Sequence, residues 1–338
     1  MDHRLAENSS EMTAIEVAAR SSSAAKFIDP DKTAKGETRA SVPLTRLETL
    51  WINTGTLCNI TCRNCYIESS PSNDRLVYIS AAETATYLDE IRDLKLGTKE
   101  IAFTGGEPFL NPDMLAMTAD TLMRGHSALI LTNAMQPMQR PKIKAGLLAL
   151  KQKYGAALTL RVSLDHHTKA LHEVERGVDT WDKALAGLDW LSENGFQMAI
   201  AGRTCWGESD AKSREGYAKL IAARGWPITP ADTKQLMLLP EMDDHADVPE
   251  ITTACWGILH KRPVDMMCAT SRMVVKRKGA GTPVVVPCTL LPYQPEFEMA
   301  ATLGASLKAD GGMFSKGAVK LCHSHCAKFC VLGGGSCS

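Results

Sequence analysis

The sequence predicts an α/β fold, a partial (β/α)6 barrel followed by a small cysteine-rich C-terminal extension that contains a β-hairpin. Six short apolar segments alternate with segments of helical length between residues 47 and 239, which is typical of βα units and a parallel sheet. No glycine-rich dinucleotide-binding motif follows the first of them, which favours a barrel over a doubly wound sheet. After residue 247 the helical periodicity fades and Pro, Gly, Cys and Trp become more frequent.

The individual elements follow from these patterns and from local start and stop signals. The predicted strands are residues 47–53, 100–104, 128–132, 158–164, 196–201 and 235–239, and the predicted helices are residues 80–94, 112–124, 141–154, 180–194 and 210–223. Ser80 and Glu83 have the spacing of a capping box at a helix start. Gly195 and Gly225 each follow a helical segment and act as C-terminal stop signals.

The chain divides into three predicted regions. Residues 1–45 are polar and are expected to form a mobile arm, residues 46–246 form the barrel, and residues 247–338 form the cysteine-rich domain. The hairpin is expected at residues 273–276 and 283–286, joined by a glycine-containing turn.

Charge and hydropathy exclude some classes of function. The chain has 38 basic and 38 acidic residues, so its net charge gives no general attraction to nucleic acid or to an anionic membrane. No apolar run reaches the ~18–20 residues of a membrane span, and the N-terminus lacks the pattern of a signal peptide. We therefore expect a cytoplasmic protein without a membrane partner. One short basic run, residues 276–278, keeps a nucleic-acid-modifying function open.

Eleven cysteines are the most informative part of the composition. In a chain without a secretion signal they are not expected to form a disulfide framework. Cys205 and Cys255 stand alone in sequence and are interpreted as ordinary thiols, whereas the other nine occur in groups. Grouped cysteines indicate metal binding.

The first group is Cys58, Cys62 and Cys65, a C-x3-C-x2-C arrangement directly after the first predicted strand. Three thiolates on one loop can each bind one iron of a cubane cluster, whereas an electron-transfer [4Fe-4S] cluster uses four cysteines. The fourth iron would then have an open coordination position. A structural zinc site would need a fourth ligand that the loop does not offer.

This loop resembles the signature of the radical S-adenosylmethionine (SAM) superfamily. The resemblance implies a [4Fe-4S] cluster on Cys58, Cys62 and Cys65 as the catalytic centre, with SAM bound at the fourth iron. It also implies reductive cleavage of SAM to a 5′-deoxyadenosyl radical that abstracts hydrogen from a peptide or small-molecule substrate. A reductant such as flavodoxin or ferredoxin would supply the electron. Asn64 departs from the aromatic or apolar residue that often precedes the third cysteine and lies against the adenine.

Polar residues at the other strand ends extend the resemblance. Gly105-Gly106-Glu107-Pro108 is similar to the superfamily's GGEP motif, in which glycines allow close backbone approach and a carboxylate can receive an ammonium group. Alternatives are a simple turn at that motif, strand-end capping at the third and fourth strands, and a surface ion pair at Arg203. The residues expected to contact SAM are Asn64, Gly105, Gly106, Glu107, Pro108, Thr132, Asn133, Ser163, Asp165 and Arg203.

Three further groups near the strand ends are not expected to bind a metal. Leu238, Leu239 and Pro240 at the sixth strand are expected to contact adenine or to belong to the core. His166, His167 and His172 follow the fourth strand and are interpreted as loop and helix-start residues. The Arg176-Gly177 pair just beyond them resembles a pair common in peptide-modifying relatives.

The C-terminal cysteines resemble those of the SPASM and twitch extensions, which hold auxiliary [4Fe-4S] clusters. Six cysteines are too few for two fully ligated clusters, so we expect one auxiliary [4Fe-4S] cluster. Its expected ligands are Cys268, Cys288 and two of Cys326, Cys330 and Cys337, with Cys322 outside the set. A zinc knuckle that includes His323 or His325, or free thiols, are the alternatives.

The function predicted from the sequence is therefore that of a radical SAM enzyme that modifies a peptide or a small metabolite. The main alternative is a non-catalytic protein, either an iron–sulfur electron carrier or a zinc-stabilised binding module. That alternative leaves the open iron position and the polar strand ends unexplained.

Overall fold

A computed structural model of the protein describes residues 26–240 and 247–334. The strands are β1 (Ser41–Val42), β2 (Thr49–Asn53), β3 (Glu100–Thr104), β4 (Ser127–Thr132), β5 (Leu158–Ser163), β6 (Gln197–Arg203), β7 (Leu236–Leu239), β8 (Ser271–Val275), β9 (Val284–Val286), β10 (Phe314–Ser315) and β11 (Ala318–Lys320). The α-helices are α1 (Ala81–Asp93), α2 (Met114–Met123), α3 (Gln136–Gln139), α4 (Pro141–Tyr154), α5 (Lys169–Arg176), α6 (Trp181–Glu193), α7 (Asp210–Arg224), α8 (Cys255–Ile258) and α9 (Leu303–Ser306). A π-helix covers Cys326–Leu332.

The main sheet has the strand order β7-β6-β5-β4-β3-β2-β8-β9. Every pair from β7 to β8 is parallel, and β9 is antiparallel to β8. Strands β2 to β7 are the six predicted strands, joined in sequence order by helical crossovers. The partial (β/α)6 barrel predicted from the sequence is therefore confirmed.

Local signals place the ends of the helices. Ser80 caps α1: its side chain accepts from the backbone N–H of Glu83, and the Glu83 carboxylate accepts from the backbone N–H of Ser80. Such a capping box satisfies two amide groups that a helix start leaves unpaired. At the C-terminal end of α7, Gly225 adopts a left-handed conformation with φ of +67°. Glycine has no steric penalty in that conformation.

Apolar residues cover both faces of the main sheet. Within β2, Leu50 and Ile52 belong to the apolar cluster that includes the helices α1, α2 and α6, whereas Trp51 belongs to a second cluster with the C-terminal extension. Successive side chains on a strand point to opposite faces. The helices therefore cover the outer face, and the C-terminal extension covers the inner face.

The described part of the predicted N-terminal arm is packed, in contrast to the expectation of a mobile segment from residue 1 to 45. Residues 41–42 form β1, which pairs with β11 of the extension. Arg39 and Glu250 form an ion pair of 2.6 Å in which both side chains are almost fully buried. The expectation overlooked that contacts distant in sequence can order a polar segment. Residues 1–25 lie outside the described residues.

The predicted hairpin is present at the residues expected for it. Strands β8 and β9 form it, and β8 also pairs with β2, so the hairpin extends the main sheet. The extension also includes a three-stranded sheet in the order β1-β11-β10. In the described ranges, no helix combines the length and apolar character needed to cross a membrane.

Candidate functional site

A cavity opens at the carboxyl ends of the parallel strands, where the chemistry of barrel folds is located. The extension contributes Thr289, Leu290 and Phe329 to its wall. The predicted residues that line it are Cys58, Cys62, Asn64, Cys65, Gly105, Gly106, Thr132, Asn133, Ser163, Asp165, Arg203, Leu239 and Pro240. The structure thus gathers around one space most of the residues that the sequence nominated; Glu107, Pro108 and Leu238 do not line it.

The cysteine loop is held at both ends by backbone hydrogen bonds. The N–H of Cys58 donates to the carbonyl of Ser70 over 3.0 Å, which closes the loop. The N–H of Ser69 points at the sulfur of Cys65 over 3.3 Å, and the side-chain amide of Asn133 lies 3.9 Å from the sulfur of Cys58. Hydrogen bonds to sulfur stabilise a thiolate and tune a bound cluster.

Burial dominates the acid–base behaviour of these thiols. It raises the pKa of Cys58 to about 12 and the pKa of Cys62 to about 11, although the nearby Arg176 guanidinium lowers both. At neutral pH the thiols are therefore protonated unless a metal takes the place of the proton. Metal binding and proton release are coupled at this site.

The arrangement of ligand atoms differs from that of a mononuclear metal site. Within residues 26–240 and 247–334, the group of potential ligands whose atoms lie within 4.8 Å of one another is His166, His167 and Glu208, and no group of cysteines meets that condition. Thiolates that share one zinc ion at about 2.3 Å would lie roughly 3.8 Å apart. The three loop sulfurs therefore do not all lie within 4.8 Å of one another, which fits separate irons of one cluster better than a shared zinc ion.

The histidine group forms a hydrogen-bonded network beside the cavity and not within its lining. One ring nitrogen of His166 lies 2.8 Å from the Thr168 hydroxyl, and the other lies 3.4 Å from the Glu208 carboxylate. His172 packs edge-to-face on Trp181, and both of its ring nitrogens are buried without a hydrogen-bond partner.

The double glycine contacts the base of the cysteine loop directly. Gly105 has φ of +145°, and the N–H of Gly106 donates to the carbonyl of Gly55 over 2.9 Å. A Cβ at Gly106 would lie 2.2 Å from the carbonyl oxygen of Leu57. The sequence suggested that these glycines allow approach to a ligand, and in the structure they also allow two chain segments to touch.

Glu107 is buried behind the cavity wall. Its carboxylate accepts hydrogen bonds from the Thr132 hydroxyl and from the backbone N–H groups of Asn133 and Phe109, over 2.8–3.2 Å. Burial raises its pKa to about 7, and these donors act in the opposite direction. In this conformation the carboxylate joins strand ends β3 and β4. Pro108 begins a short 3-10 turn beside it.

Two residues that the sequence analysis did not place in the site line the cavity: Glu175 and Arg176, both from α5. Arg176 forms an ion pair of 2.6 Å with Asp165 at the end of β5. The Arg176-Gly177 pair was the signal that could have identified this segment. No sequence motif near Glu175 predicts its role, because its hydrogen-bond partners are more than 25 residues away in sequence.

Arg203 offers an unused donor at the cavity. Its Nη1 donates to Glu175 Oε1 over 2.7 Å and to the carbonyl of Asn64 over 3.0 Å. Its Nη2 is buried and has no hydrogen-bond partner in the described structure. A buried unpaired donor of a guanidinium is costly, so this atom fits an anionic group of a bound cofactor.

Comparisons with known proteins agree with this geometry. Residues 52–204, which include the cysteine loop and every strand end from β2 to β6, match the sequence model of the Radical SAM superfamily. Residues 52–204 therefore form a radical SAM domain. Its cofactors are a [4Fe-4S] cluster and SAM.

The chain also resembles individual proteins over part of their length. It is 26% identical over 145 residues to the antilisterial bacteriocin subtilosin biosynthesis protein AlbA of Bacillus subtilis (strain 168), which covers 43% of this chain and 30% of AlbA. Streptococcus suis SuiB bound to S-adenosylmethionine has a TM-score of 0.58 at 14% identity, covering 79% of this chain and 67% of SuiB. Native anSMEcpe with bound AdoMet has a TM-score of 0.56 at 14% identity, covering 78% and 80%. The structural similarities concern the fold.

The C-terminal cysteines form a second group, separate from the cysteine loop of the radical SAM domain. Cys268 lies in a 3-10 turn before β8, Cys288 follows β9, and Cys326 begins the π-helix that also carries Cys330. The first three are at most 9% exposed, and burial raises the pKa of Cys268 to about 11. Residues 326–332 form a π-helix, whose turns are wider than those of an α-helix.

The remaining grouped cysteines of the extension are Cys322 and Cys337. The Cys322 thiol points at the carbonyl of Asp29 in the N-terminal segment, at 3.5 Å. Cys337 lies outside the described residues.

A fully buried arginine accompanies the second cysteine group. Arg272 on β8 donates from Nη1 to the carbonyls of Cys268 and Ser271 over 2.6 and 2.8 Å, and from Nη2 to the carbonyl of Gly317 over 3.1 Å. Its Nε is buried without a partner. Burial lowers the pKa of Arg272 to about 10, and the nearby Cys268 and Cys288 are the groups that favour its charged form.

Proposed function

We propose that this chain is a radical SAM enzyme that abstracts hydrogen from a peptide. The observation that carries the enzymatic part is the shared cavity, which brings the three loop cysteines together with the unpaired Nη2 of Arg203. Three cysteines leave one iron of a [4Fe-4S] cluster open. An electron carrier has no use for that position or for a buried, partly unpaired guanidinium in the same cavity.

The roles of the residues follow from this placement. Cys58, Cys62 and Cys65 would hold the cluster, and Arg203 would bind the carboxylate of SAM. When bound, the cluster and SAM supply the reducing electron and the radical. The chain itself orients them and excludes water, through apolar wall residues such as Leu239 and Leu290.

The other predicted contacts line the same space and remain part of the proposal. They are Asn64, Gly105, Gly106, Thr132, Asn133, Ser163 and Asp165. Glu107 would act from behind the wall, through Thr132 and the backbone of Asn133.

A second cluster is proposed for the extension, with Cys268, Cys288, Cys326 and either Cys330 or Cys337 as ligands. Arg272 supports it, because no carboxylate among the described residues forms an ion pair with this buried cation. A buried charge without a counter-charge is strongly unfavourable. Thiolates fixed by a metal cluster would supply the missing negative charge.

The choice of a peptide rests on the relatives and on the shape of the site. AlbA is a bacteriocin biosynthesis protein, and SuiB and anSMEcpe have been solved with a precursor peptide and a peptide, respectively. In this chain the extension forms one wall of the cavity, so a substrate would lie between it and the barrel. A flavodoxin or ferredoxin would be the reductant, and the cytoplasm the location.

Nucleic acid is a weaker candidate as substrate. The basic run that kept it open is neutralised: Lys276 pairs with Glu83, Arg277 with Glu298, and Lys278 with Asp74. These ion pairs leave no cluster of free cations there for a phosphate backbone.

The test of the enzymatic proposal is anaerobic reconstitution with iron and sulfide, followed by dithionite and SAM. We expect 5′-deoxyadenosine and about eight irons per chain for two cubane clusters. Cys62→Ala should abolish 5′-deoxyadenosine and retain about half of the iron, whereas the control Cys255→Ser should change neither. A fully loaded wild type that neither binds nor cleaves SAM would contradict the proposal.

The substrate class is tested in the same assay. A library of short peptides should raise the yield of 5′-deoxyadenosine several-fold over buffer, and mass spectrometry should detect peptides that have lost hydrogen. If a mixture of free amino acids raises the yield and peptides do not, the peptide proposal is wrong.

A further inference from the structure

Glu175 is a buried carboxylate that connects three parts of the site. It lies on α5 and its side chain is 2% exposed. Its Oε1 accepts from the backbone N–H of Asn64 over 2.9 Å and from Arg203 Nη1 over 2.7 Å. Its Oε2 accepts from the side-chain amide of Asn64 over 2.9 Å. One side chain thereby contacts the cysteine loop and the end of β6.

The backbone of Glu175 reinforces the same connection. Its carbonyl accepts from the N–H of Arg63 over 2.8 Å. Arg63 and Asn64 are the two residues between Cys62 and Cys65, so the clamp acts on the part of the loop that spaces two of the proposed cluster ligands. The hydrogen bond that closes the loop, from Cys58 to Ser70, lies at the far end of the loop from this segment.

Glu175 also sets the orientation of Arg203. Because Glu175 and the carbonyl of Asn64 both occupy Nη1, the guanidinium plane is fixed and Nη2 remains as the unpaired donor. A planar guanidinium with one side anchored presents its remaining donors in a defined direction. The loop and the unpaired donor are therefore positioned by one group.

We propose that Glu175 is a positioning residue for SAM: it holds the Arg63–Asn64 segment and Arg203 as one unit and so sets the affinity and orientation of SAM at the cluster. This inference rests on the proposed function of the cavity. It adds a residue that touches neither the iron nor the transferred atoms. Its carboxylate is suited to the task because all three of its side-chain partners are donors.

The test compares Glu175→Gln with Glu173→Gln, a change on the same helix outside the cavity lining. Glutamine has a similar shape, but it offers one acceptor oxygen where glutamate has two. Its NH2 group would face an N–H donor of Asn64 or Arg203 instead of accepting from it. In the reconstituted holoenzyme, we expect unchanged iron content, a rise of about tenfold in the Kd for SAM, and a smaller SAM-induced change in the EPR spectrum of the reduced cluster. Glu173→Gln should leave all three quantities unchanged.

A second variant separates positioning from folding. Asn64→Ala keeps the ion pair of Glu175 with Arg203 and removes one of the hydrogen bonds, so we expect a rise of about threefold in the Kd for SAM. The double variant should be no worse than Glu175→Gln alone, because both changes act on one unit. If Glu175→Gln does not fold, Glu175→Asp decides the question, because it keeps the charge while its shorter side chain cannot hold Asn64 and Arg203 together.

The outcomes distinguish this inference from the proposed function. A wild type that holds iron but does not bind SAM would contradict the proposed function itself. A wild type that binds SAM, together with variants whose Kd and EPR spectra are unchanged, would overturn the role of Glu175 alone. Loss of iron in Asn64→Ala would also overturn it, since the clamp would then serve cluster retention and not SAM.

Discussion

Gly106 and Leu57 are in direct contact across the base of the cysteine loop. A Cβ on Gly106 would lie 2.2 Å from the carbonyl oxygen of Leu57, and the same carbonyl accepts from the N–H of Glu107 over 3.1 Å. The residue before the first proposed iron ligand therefore rests on the double-glycine turn. The turn supports the loop by its backbone, which side-chain chemistry alone would not suggest.

We predict that Gly106→Ala destabilises the protein and impairs cluster loading. Leu57 contributes backbone atoms, which cannot move aside as a flexible side chain would, so the cost should be about 1–3 kcal/mol in the free energy of unfolding. Iron content after reconstitution should fall together with stability. Chemical denaturation and an iron assay measure both quantities.

Gly257→Ala is the control for that experiment. A Cβ there meets no heavy atom within 4 Å, and alanine is a better helix former than glycine. Its stability and iron content should equal or exceed those of the wild type. Equal stability of Gly106→Ala and the wild type would show that the segments can separate without cost.

The sequence predicted the parts of this structure that depend on local patterns. The capping box of Ser80 and Glu83 and the strand β3 follow from spacing and hydropathy over a few residues, and both are present. The loop cysteines share a cavity with the double glycine because the carboxyl ends of parallel strands meet at one edge. Prediction of that kind needs only the order of the elements.

The parts that were missed depend on contacts between distant residues. Arg39 is ordered by Glu250, 211 positions away, and Glu175 acts on Asn64, 111 positions away. In neither pair does the sequence around one residue indicate which distant residue it contacts. The pairing of β8 with β2 likewise requires the tertiary structure, since a hairpin pattern does not tell which sheet the hairpin joins.

Folding stability should decrease in acid because of His172. Burial, assisted by the positive charge of Arg176, lowers its pKa from 6.5 to about 4. The unfolded chain takes up this proton below about pH 6.5 and the folded protein only near pH 4, so the stability that this group contributes is complete above pH 6.5 and is lost as the pH falls toward 4. The loss should reach about 2 kcal/mol at pH 5.

His172→Phe tests this titration, since it keeps an aromatic ring against Trp181 but cannot bind a proton. Urea unfolding at about pH 7 and about pH 5 should show a smaller decrease in stability for this variant than for the wild type. The exposed His260, changed to Asn, should leave the decrease unaltered. A decrease of the same size in His172→Phe would assign the acid sensitivity to other groups.

Cys322 and Cys326 should differ in their effect on the second cluster. Cys326 is buried near Cys268, Cys288 and Cys322, but the Cys322 thiol points at the carbonyl of Asp29. Cys326→Ser should therefore lose about half of the reconstituted iron, and Cys322→Ser should retain it. The reverse result would mean that Cys322, next to the N-terminal segment, is a ligand of the cluster and that Cys326 is not.

Removal of the buried charge of Arg272 should lower the reduction potential of the second cluster. A positive charge near the cluster favours the reduced, more negative state, so Arg272→Met should shift the midpoint potential downward. For a separation of roughly 6–8 Å and an effective dielectric of about 20, the shift is on the order of 100 mV. Redox titration followed by EPR measures it for both clusters in one sample.

The same titration contains its own reference. The cluster proposed on Cys58, Cys62 and Cys65 should keep its potential, because Arg272 does not line the cavity that contains those cysteines. Arg262→Met removes an exposed charge from the extension and should shift neither potential, since solvent screens that charge. If the potential of the second cluster is unchanged in Arg272→Met, the guanidinium serves only to bind the carbonyls of Cys268, Ser271 and Gly317. The electrostatic argument for thiolates at Cys268 and Cys288 would then fail.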